Sequence, residues 1–95
     1  MIKHIVSIKI KEKSKDQIDL VKSALESLPA KILEIKLFEV GVNISSAKSA
    51  YDLVLISEFD SLDTLETYRI HPEHQKVLEL IKKHKSTSMV VDYNM

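Results

Sequence analysis

The 95-residue chain contains no cysteine and no tryptophan, and it has a single glycine, Gly41. Without cysteine there are no disulfides, no thiolate nucleophiles and no zinc sites built on cysteine. One glycine is too few for a GxGxxG turn, a Walker loop or a GxSxG elbow. The classes of enzyme that depend on these motifs are therefore excluded.

The charge balance argues against nucleic acid as a partner. Lys and Arg together number 14, Asp and Glu also number 14, and the only arginine is Arg69. A neutral chain creates no overall field that attracts phosphate, and one guanidinium offers few bidentate contacts to phosphate or base edges. We expect no nucleic-acid partner.

The chain also has little continuous apolar sequence. The longest apolar run is Leu53–Ile56, whereas about 20 residues are needed to cross a bilayer. The first residues are interrupted by charge and lack the apolar stretch of a secretory signal. We therefore expect no membrane partner, a cytoplasmic location, and one domain over residues 1–95.

Along the chain, segments in which every second residue is apolar, as in strands, alternate with segments whose apolar residues recur at helical spacing. Ser14 begins the first helix with Gln17 three residues later, which predicts a reciprocal capping box. The second helix begins after Ser61 and is interrupted at His71–Pro72. Strands are predicted at residues 2–11, 32–44, 51–59 and 86–93, with helices over 14–28 and from Ser61 through Ile81.

The order of these elements is β-α-β-β-α-β, which predicts an α+β, ferredoxin-like fold with a four-stranded antiparallel sheet. The two helices cover one face of that sheet. The second and third strands nevertheless carry large apolar residues on both faces, such as Leu37 and Val54 opposite Phe38 and Leu55. Burying about 1,000 Å² or more against a second copy would cover them. We predict a homodimer formed through the sheet faces.

The segment Tyr68–Gln75 concentrates the residues that are suited to chemistry. If Pro72 is the first residue of a restarted helix, His71 is its N-cap and His74 lies in its first turn. The positive end of a helix disfavours imidazolium, so His74 is expected to be neutral and able to accept a proton as a general base.

Two further groups are expected near this base. The phenol of Tyr68 could reach the same cavity and donate a hydrogen bond to a substrate oxygen. His4 belongs to the buried row of the first strand, which would form the sheet wall of a pocket between sheet and helices.

Each of these residues also has a purely structural interpretation. His71 could serve only as a helix cap, Tyr68 as an aromatic at the core edge with a solvated hydroxyl, and His4 as a buried histidine with satisfied ring nitrogens. His71 and His74, three residues apart, could grip a metal ion, but two histidines without an HExxH motif are too few for a tight site. We expect neither a metal nor an organic cofactor.

Several segments resemble the stress-responsive dimeric α/β-barrel family. They cover the chain from its first strand to its last: Ile2–Val6, Phe38–Asn43, Tyr51–Leu55, His71–Val77 and Val90–Tyr93. The resemblance implies a ferredoxin-like fold that pairs into a dimeric α/β barrel. Many bacterial members of the family have no assigned activity, and some plant members are induced by stress.

One plant member closes a linear polyketide by aldol condensation without metal or organic cofactor. Its Tyr-x-x-His-Pro-x-His segment is similar to residues 68–74. On that match His74 is the base, Tyr68 is its polar partner, and His4 corresponds to a histidine of the first strand. After His74 the sequence follows the general bacterial members and departs from the cyclase.

Two functional hypotheses result. The first is a cytoplasmic homodimer that binds a small, mostly apolar organic ligand between sheet and helices. Its chemistry would be cofactor-free proton transfer of the lyase, cyclase or isomerase kind by His74, Tyr68 and His4, with His71 in contact with the ligand. The second is a non-catalytic, stress-associated dimer that carries a ligand or binds other proteins.

Overall fold

Four strands and three helices make up the computed structural model, which describes residues 1–95. They follow one another as β1 (Ile2–Ile10), α1 (Lys15–Glu26), β2 (Leu37–Val42), β3 (Leu53–Phe59), α2 (Leu62–Ile70), α3 (Pro72–His84) and β4 (Lys85–Asn94). All strand pairs are antiparallel, and the sheet order is β2-β3-β1-β4. This is the predicted ferredoxin-like arrangement, with its second helix divided into α2 and α3.

The hydrophobic core lies between the helices and the sheet face that they cover. On the sheet side it is formed by alternate residues of β1 and β3, as expected for strands with one strongly buried face. Its members are Ile2, Ile8, Ile10, Val21, Leu25, Leu28, Ile32, Leu53, Leu55, Phe59, Leu65, Tyr68, Val77 and Ile81. His4 belongs to the same row of β1 and is 7% exposed.

The predicted strand boundaries need correction at three places. The second strand covers residues 37–42 and not 32–44, because Ile32 enters the core from a turn. The backbone N–H of Ile32 donates to the carbonyl of Leu28 at 3.0 Å, and its side chain is only 1% exposed. The third strand begins at Leu53 and not at Tyr51, while the fourth begins at Lys85 directly after α3.

The starts of α1 and α2 are capped by serines, as predicted. The hydroxyl of Ser14 accepts from the backbone N–H of Gln17 at 3.2 Å. The N–H of Ser14 donates to the carbonyl of Glu12, so the predicted reciprocal box is only half formed. A complete capping box occurs at α2 between Ser61 and Thr64. No helix in the structure combines the length and the apolar character that a membrane span requires.

The second face of the sheet carries exposed apolar side chains. The strand register brings Ile5, Ile56 and Val91 to this face, and the side chain of Val91 is 58% exposed. We call this surface the open face. It comprises Leu37, Val54, Met89 and Tyr93 together with the three residues above.

Candidate functional site

A break between α2 and α3 sets the geometry of the candidate site. His71 separates the two helices in an extended conformation, with φ −61° and ψ 134°, because a proline disfavours the helical conformation in the residue before it. Pro72 is the first residue of α3, and Nδ1 of His71 accepts a hydrogen bond from the N–H of Glu73 at 3.1 Å. The structure confirms that His71 is an N-cap and that His74 lies in the first turn.

The same break orients the His74 side chain. The last carbonyls of α2 have no partners within their own helix. Nδ1–H of His74 donates to the carbonyl of Arg69 at 2.9 Å, and the side-chain amide of Gln75 donates to the same oxygen at 2.7 Å. Because a carbonyl can only accept, the proton of the neutral imidazole lies on Nδ1. Nε2 therefore keeps its lone pair, which is the group that a general base needs.

The surroundings of His74 favour this neutral form. Burial lowers the pKa of His74 below its ordinary value, because the imidazolium loses hydration. The hydrogen bond to the Arg69 carbonyl acts in the opposite direction, and electrostatic interactions with the basic side chains of His4, Arg69 and His71 lower the pKa of His74 further. Near pH 7 the site therefore presents a neutral imidazole.

Tyr68 lies directly beside His74 at the end of α2. The centroids of the two rings are 4.2 Å apart, with 37° between their planes. Tyr68 is fully buried, and its hydroxyl has no hydrogen-bond partner, so the alternative of a solvated hydroxyl is wrong. Burial raises the pKa of the phenol, which keeps it protonated. An unpartnered buried hydroxyl costs about 1–3 kcal/mol, and a ligand oxygen would satisfy it.

His4 lies behind Tyr68 and pairs with a residue that the sequence did not single out. Nδ1–H of His4 donates to the carboxylate of Asp92, which is its direct partner in the β1–β4 register. The edge of the His4 ring meets Tyr68 at a centroid distance of 6.1 Å. The one sequence signal for Asp92 was a carboxylate on the strand row that faces the helices.

A cavity of about 180 Å³ opens between the helices and the sheet next to His74 and Tyr68. We call it the helix-side cavity. Its wall is mostly apolar and includes two further polar residues, Lys85 and Ser88. The apolar lining consists of Val6, Ile8, Leu25, Leu55, Val77, Leu78, Ile81 and Val90.

Two of the predicted site residues do not line this cavity. His4 packs against Tyr68 without lining the cavity itself, and the ring of His71 is engaged in capping α3. The ligand contact predicted for His71 stays a prediction, while its structural role is plain. No group of three or more His, Asp or Glu side chains is close enough to hold a metal ion.

A family model assigns the chain as a whole. The model for the stress responsive A/B barrel domain matches residues 2–95. The chain belongs to this family. No curated protein matches it.

Solved structures share the fold over nearly the whole chain. A dimeric protein of unknown function from Bacteroides fragilis, with a ferredoxin-like fold, is 35% identical, with 99% of this chain and 95% of that chain covered and a TM-score of 0.86. A dimeric ferredoxin-like protein of unknown function from Thermobifida fusca is 28% identical, with 99% and 90% covered and a TM-score of 0.88. The predicted ferredoxin-like fold is confirmed, and both neighbours are dimers.

The fold also occurs in an enzyme. Hydroxynitrile lyase from Passiflora edulis has a TM-score of 0.87 to this chain at 18% identity, with 99% of this chain and 92% of the lyase covered. At that level of identity the similarity concerns the fold alone.

Proposed function

We propose that the protein is a single-domain, cytoplasmic homodimer that binds a small, mostly apolar organic molecule in the helix-side cavity and performs cofactor-free proton transfer on it. One observation carries this proposal. A histidine with a free ring nitrogen and a tyrosine with an unpartnered hydroxyl share one largely apolar cavity, with their rings 4.2 Å apart.

The proposed chemistry begins at a C–H bond next to a carbonyl of the bound molecule. Nε2 of His74 takes the proton, and the resulting imidazolium is held through Nδ1–H by the Arg69 carbonyl. The hydroxyl of Tyr68 donates to the carbonyl oxygen, where negative charge develops. The proton then returns from Nε2 to the product, so no cofactor is consumed.

His4 and Asp92 support this arrangement from behind. The carboxylate fixes the His4 imidazole, and the His4 ring packs edge-on against Tyr68. The pair therefore limits the positions available to the Tyr68 ring. In this proposal His4 acts through Tyr68 and does not touch the ligand.

The homodimer is supported by the open face and by the dimeric neighbours. Val91 and Met89 on β4 and Leu37 on β2 expose large apolar side chains at the two edges of one surface. Pairing two such faces would remove them from water, and a stable interface needs about 1,000 Å² or more.

Native mass spectrometry of the protein purified from its host tests ligand binding. The wild type should carry a small-molecule mass that Leu78→Trp loses. Leu78 lines the cavity and is partly exposed, so a large ring at this position would occupy the space of the ligand. Leu20→Trp is the matched control, since Leu20 is similarly exposed on α1 but lines no cavity. An adduct of equal abundance in all three proteins would contradict binding in this cavity.

The second candidate is a non-catalytic ligand carrier. It is favoured by the position of His4, which packs against Tyr68 but does not line the cavity, so that only two of the three predicted groups line the proposed ligand site. Exchange of ligand C–H protons in D₂O, followed by NMR, distinguishes the two functions. Proton transfer predicts exchange that slows at least about 100-fold in His74→Asn, whereas a carrier binds its ligand without exchange in either protein.

A further inference from the structure

An irregularity in the β1–β4 pairing places Lys85 on the helix side of the sheet. Ile8 pairs with Ser88, but Ile10 pairs with Lys85, so β4 contains one extra residue at this point. In a regular ladder Ser86 would stand opposite Ile10, and Lys85 would face the other way. Bulges of this kind redirect side chains, and here Lys85 joins Ser88 in the wall of the helix-side cavity.

The ammonium of Lys85 is not neutralised by the protein. Its Nζ donates to the hydroxyl of Ser88 at 3.1 Å, and none of the ion pairs in the structure includes Lys85. The aliphatic stem can lie along the apolar wall while the charge stays at the rim. A lone cation at a mostly apolar cavity is best satisfied by an anion of the ligand.

This cation lies at the opposite end of the cavity from the candidate base. His74 lies in the first turn of α3, and Lys85 directly follows the helix. Their separation along the chain corresponds to about 16 Å of helix rise. Three apolar residues of α3 line the cavity between these ends: Val77, Leu78 and Ile81. The cavity therefore has two polar ends joined by an apolar middle.

We propose that the ligand is an elongated apolar molecule that ends in a carboxylate, which binds to Lys85 and Ser88 while the other end reaches His74 and Tyr68. This inference rests on the proposed function, because it concerns the same cavity. A single ammonium and one hydroxyl match the single charge of a carboxylate. A phosphate dianion calls for more donors than this end of the cavity offers.

Calorimetric titration of the purified protein with octanoate and with octanamide tests the carboxylate anchor. The two probes have the same chain and differ in charge. The wild type should bind octanoate at least about tenfold more tightly than octanamide, because hydrogen bonds to charged groups are stronger than neutral ones. Lys85→Met should remove this preference by weakening octanoate alone.

Two further variants control for charge and for folding. Lys82→Met removes the same charge from an exposed position near the end of α3 that lines no cavity, and it should leave the preference intact. Ser88→Ala changes no charge and should weaken octanoate severalfold, which keeps the test decisive if Lys85→Met does not fold. Circular dichroism checks the fold of each variant.

The outcomes of these titrations distinguish failure of the carboxylate anchor from failure of the proposed ligand cavity. Equal affinity for acid and amide in the wild type overturns the carboxylate anchor but leaves the apolar cavity of the proposed function standing. Loss of the preference in Lys82→Met as well as in Lys85→Met also overturns the anchor, since it would show a general charge effect. If neither probe binds the wild type, both the anchor and the proposed ligand cavity are contradicted.

Discussion

The carboxylate of Asp92 accepts a hydrogen bond from the imidazole of His4, although the two residues lie 88 positions apart in the chain. They are direct partners in the register between β1 and β4. His4 is buried, so its ring nitrogen has few other partners available. The pairing therefore stabilises the strand contact and fixes the ring that supports Tyr68.

Removing this carboxylate should destabilise the fold. Asp92→Ala leaves the buried Nδ1–H of His4 without a partner, so the free energy of unfolding should fall by about 1–3 kcal/mol in urea titrations. Asp92→Asn keeps an acceptor and should lose less. Asp19→Ala is the control, because Asp19 forms only an exposed pair with Lys15, and pairs of this kind contribute little.

The unpartnered Tyr68 hydroxyl should not stabilise the fold in the absence of ligand. Tyr68→Phe removes a buried hydroxyl without a partner, so the free energy of unfolding should stay unchanged or rise by about 1 kcal/mol. Tyr51→Phe, at a partly exposed position, provides the comparison. A clear loss of stability in Tyr68→Phe alone would mean that its hydroxyl is hydrogen-bonded in solution.

Stability should depend on pH through His74. Burial lowers its pKa below the ordinary value of 6.5, so the unfolded chain binds this proton more readily than the folded chain does. The free energy of unfolding should therefore decrease as the pH falls below about 6.5, and it should level off below the folded pKa. Urea titrations between about pH 8 and pH 5 measure this slope.

The control for this pH dependence is a variant that lacks the titrating group. His74→Asn keeps a donor for the Arg69 carbonyl but cannot titrate, so its slope should be shallower than that of the wild type. Identical slopes in His74→Asn and the wild type would show that His74 is not responsible.

His71 should act on the stability of α3. His71→Ala removes the acceptor for the Glu73 N–H and should lower the free energy of unfolding by about 1 kcal/mol. Asparagine is among the best N-cap residues, so His71→Asn should restore most of that loss. If both variants also weaken octanoate binding equally, the ligand contact predicted for His71 is supported as well.

The open face should determine the oligomeric state. The wild type should scatter light as twice the chain mass of 10.9 kDa. Val91→Lys should give the single-chain mass, because it places a charge on the apolar surface that the proposed interface buries. Leu20→Lys makes the same change on an exposed helix surface and should remain dimeric. A monomeric wild type at micromolar concentration would contradict the homodimer.

The parts of the site that depend on neighbouring residues were predictable from the sequence. The His71–Pro72 dipeptide predicts that one helix ends and another begins, because proline disfavours the helical conformation in the residue before it. His74 is then placed in the first turn of the second helix. The order of strands and helices along the chain also followed from the apolar periods. The first inference depends on interactions between neighbouring residues, and the second depends on a repeated apolar pattern.

The other parts of the site depend on the register between strands, which cannot be predicted from a local sequence pattern. Asp92 meets His4, and Lys85 faces the cavity, only because of the pairing between β1 and β4 and its bulge. The boundary of β2 was wrong for a related reason. Ile32 reads as a strand residue by its apolar character, but a turn satisfies the same need for burial.

The position of β1 inside the sheet has a consequence for how the site forms during synthesis. β1 is made first, yet one of its edges has no partner until β4 is complete. Until then the nascent chain exposes an apolar edge strand, which is the kind of surface that chaperones recognise and that promotes aggregation. His4 meets Asp92, and Lys85 meets the cavity, only when this last strand docks. The helix-side cavity is therefore complete only after β4 has docked on β1.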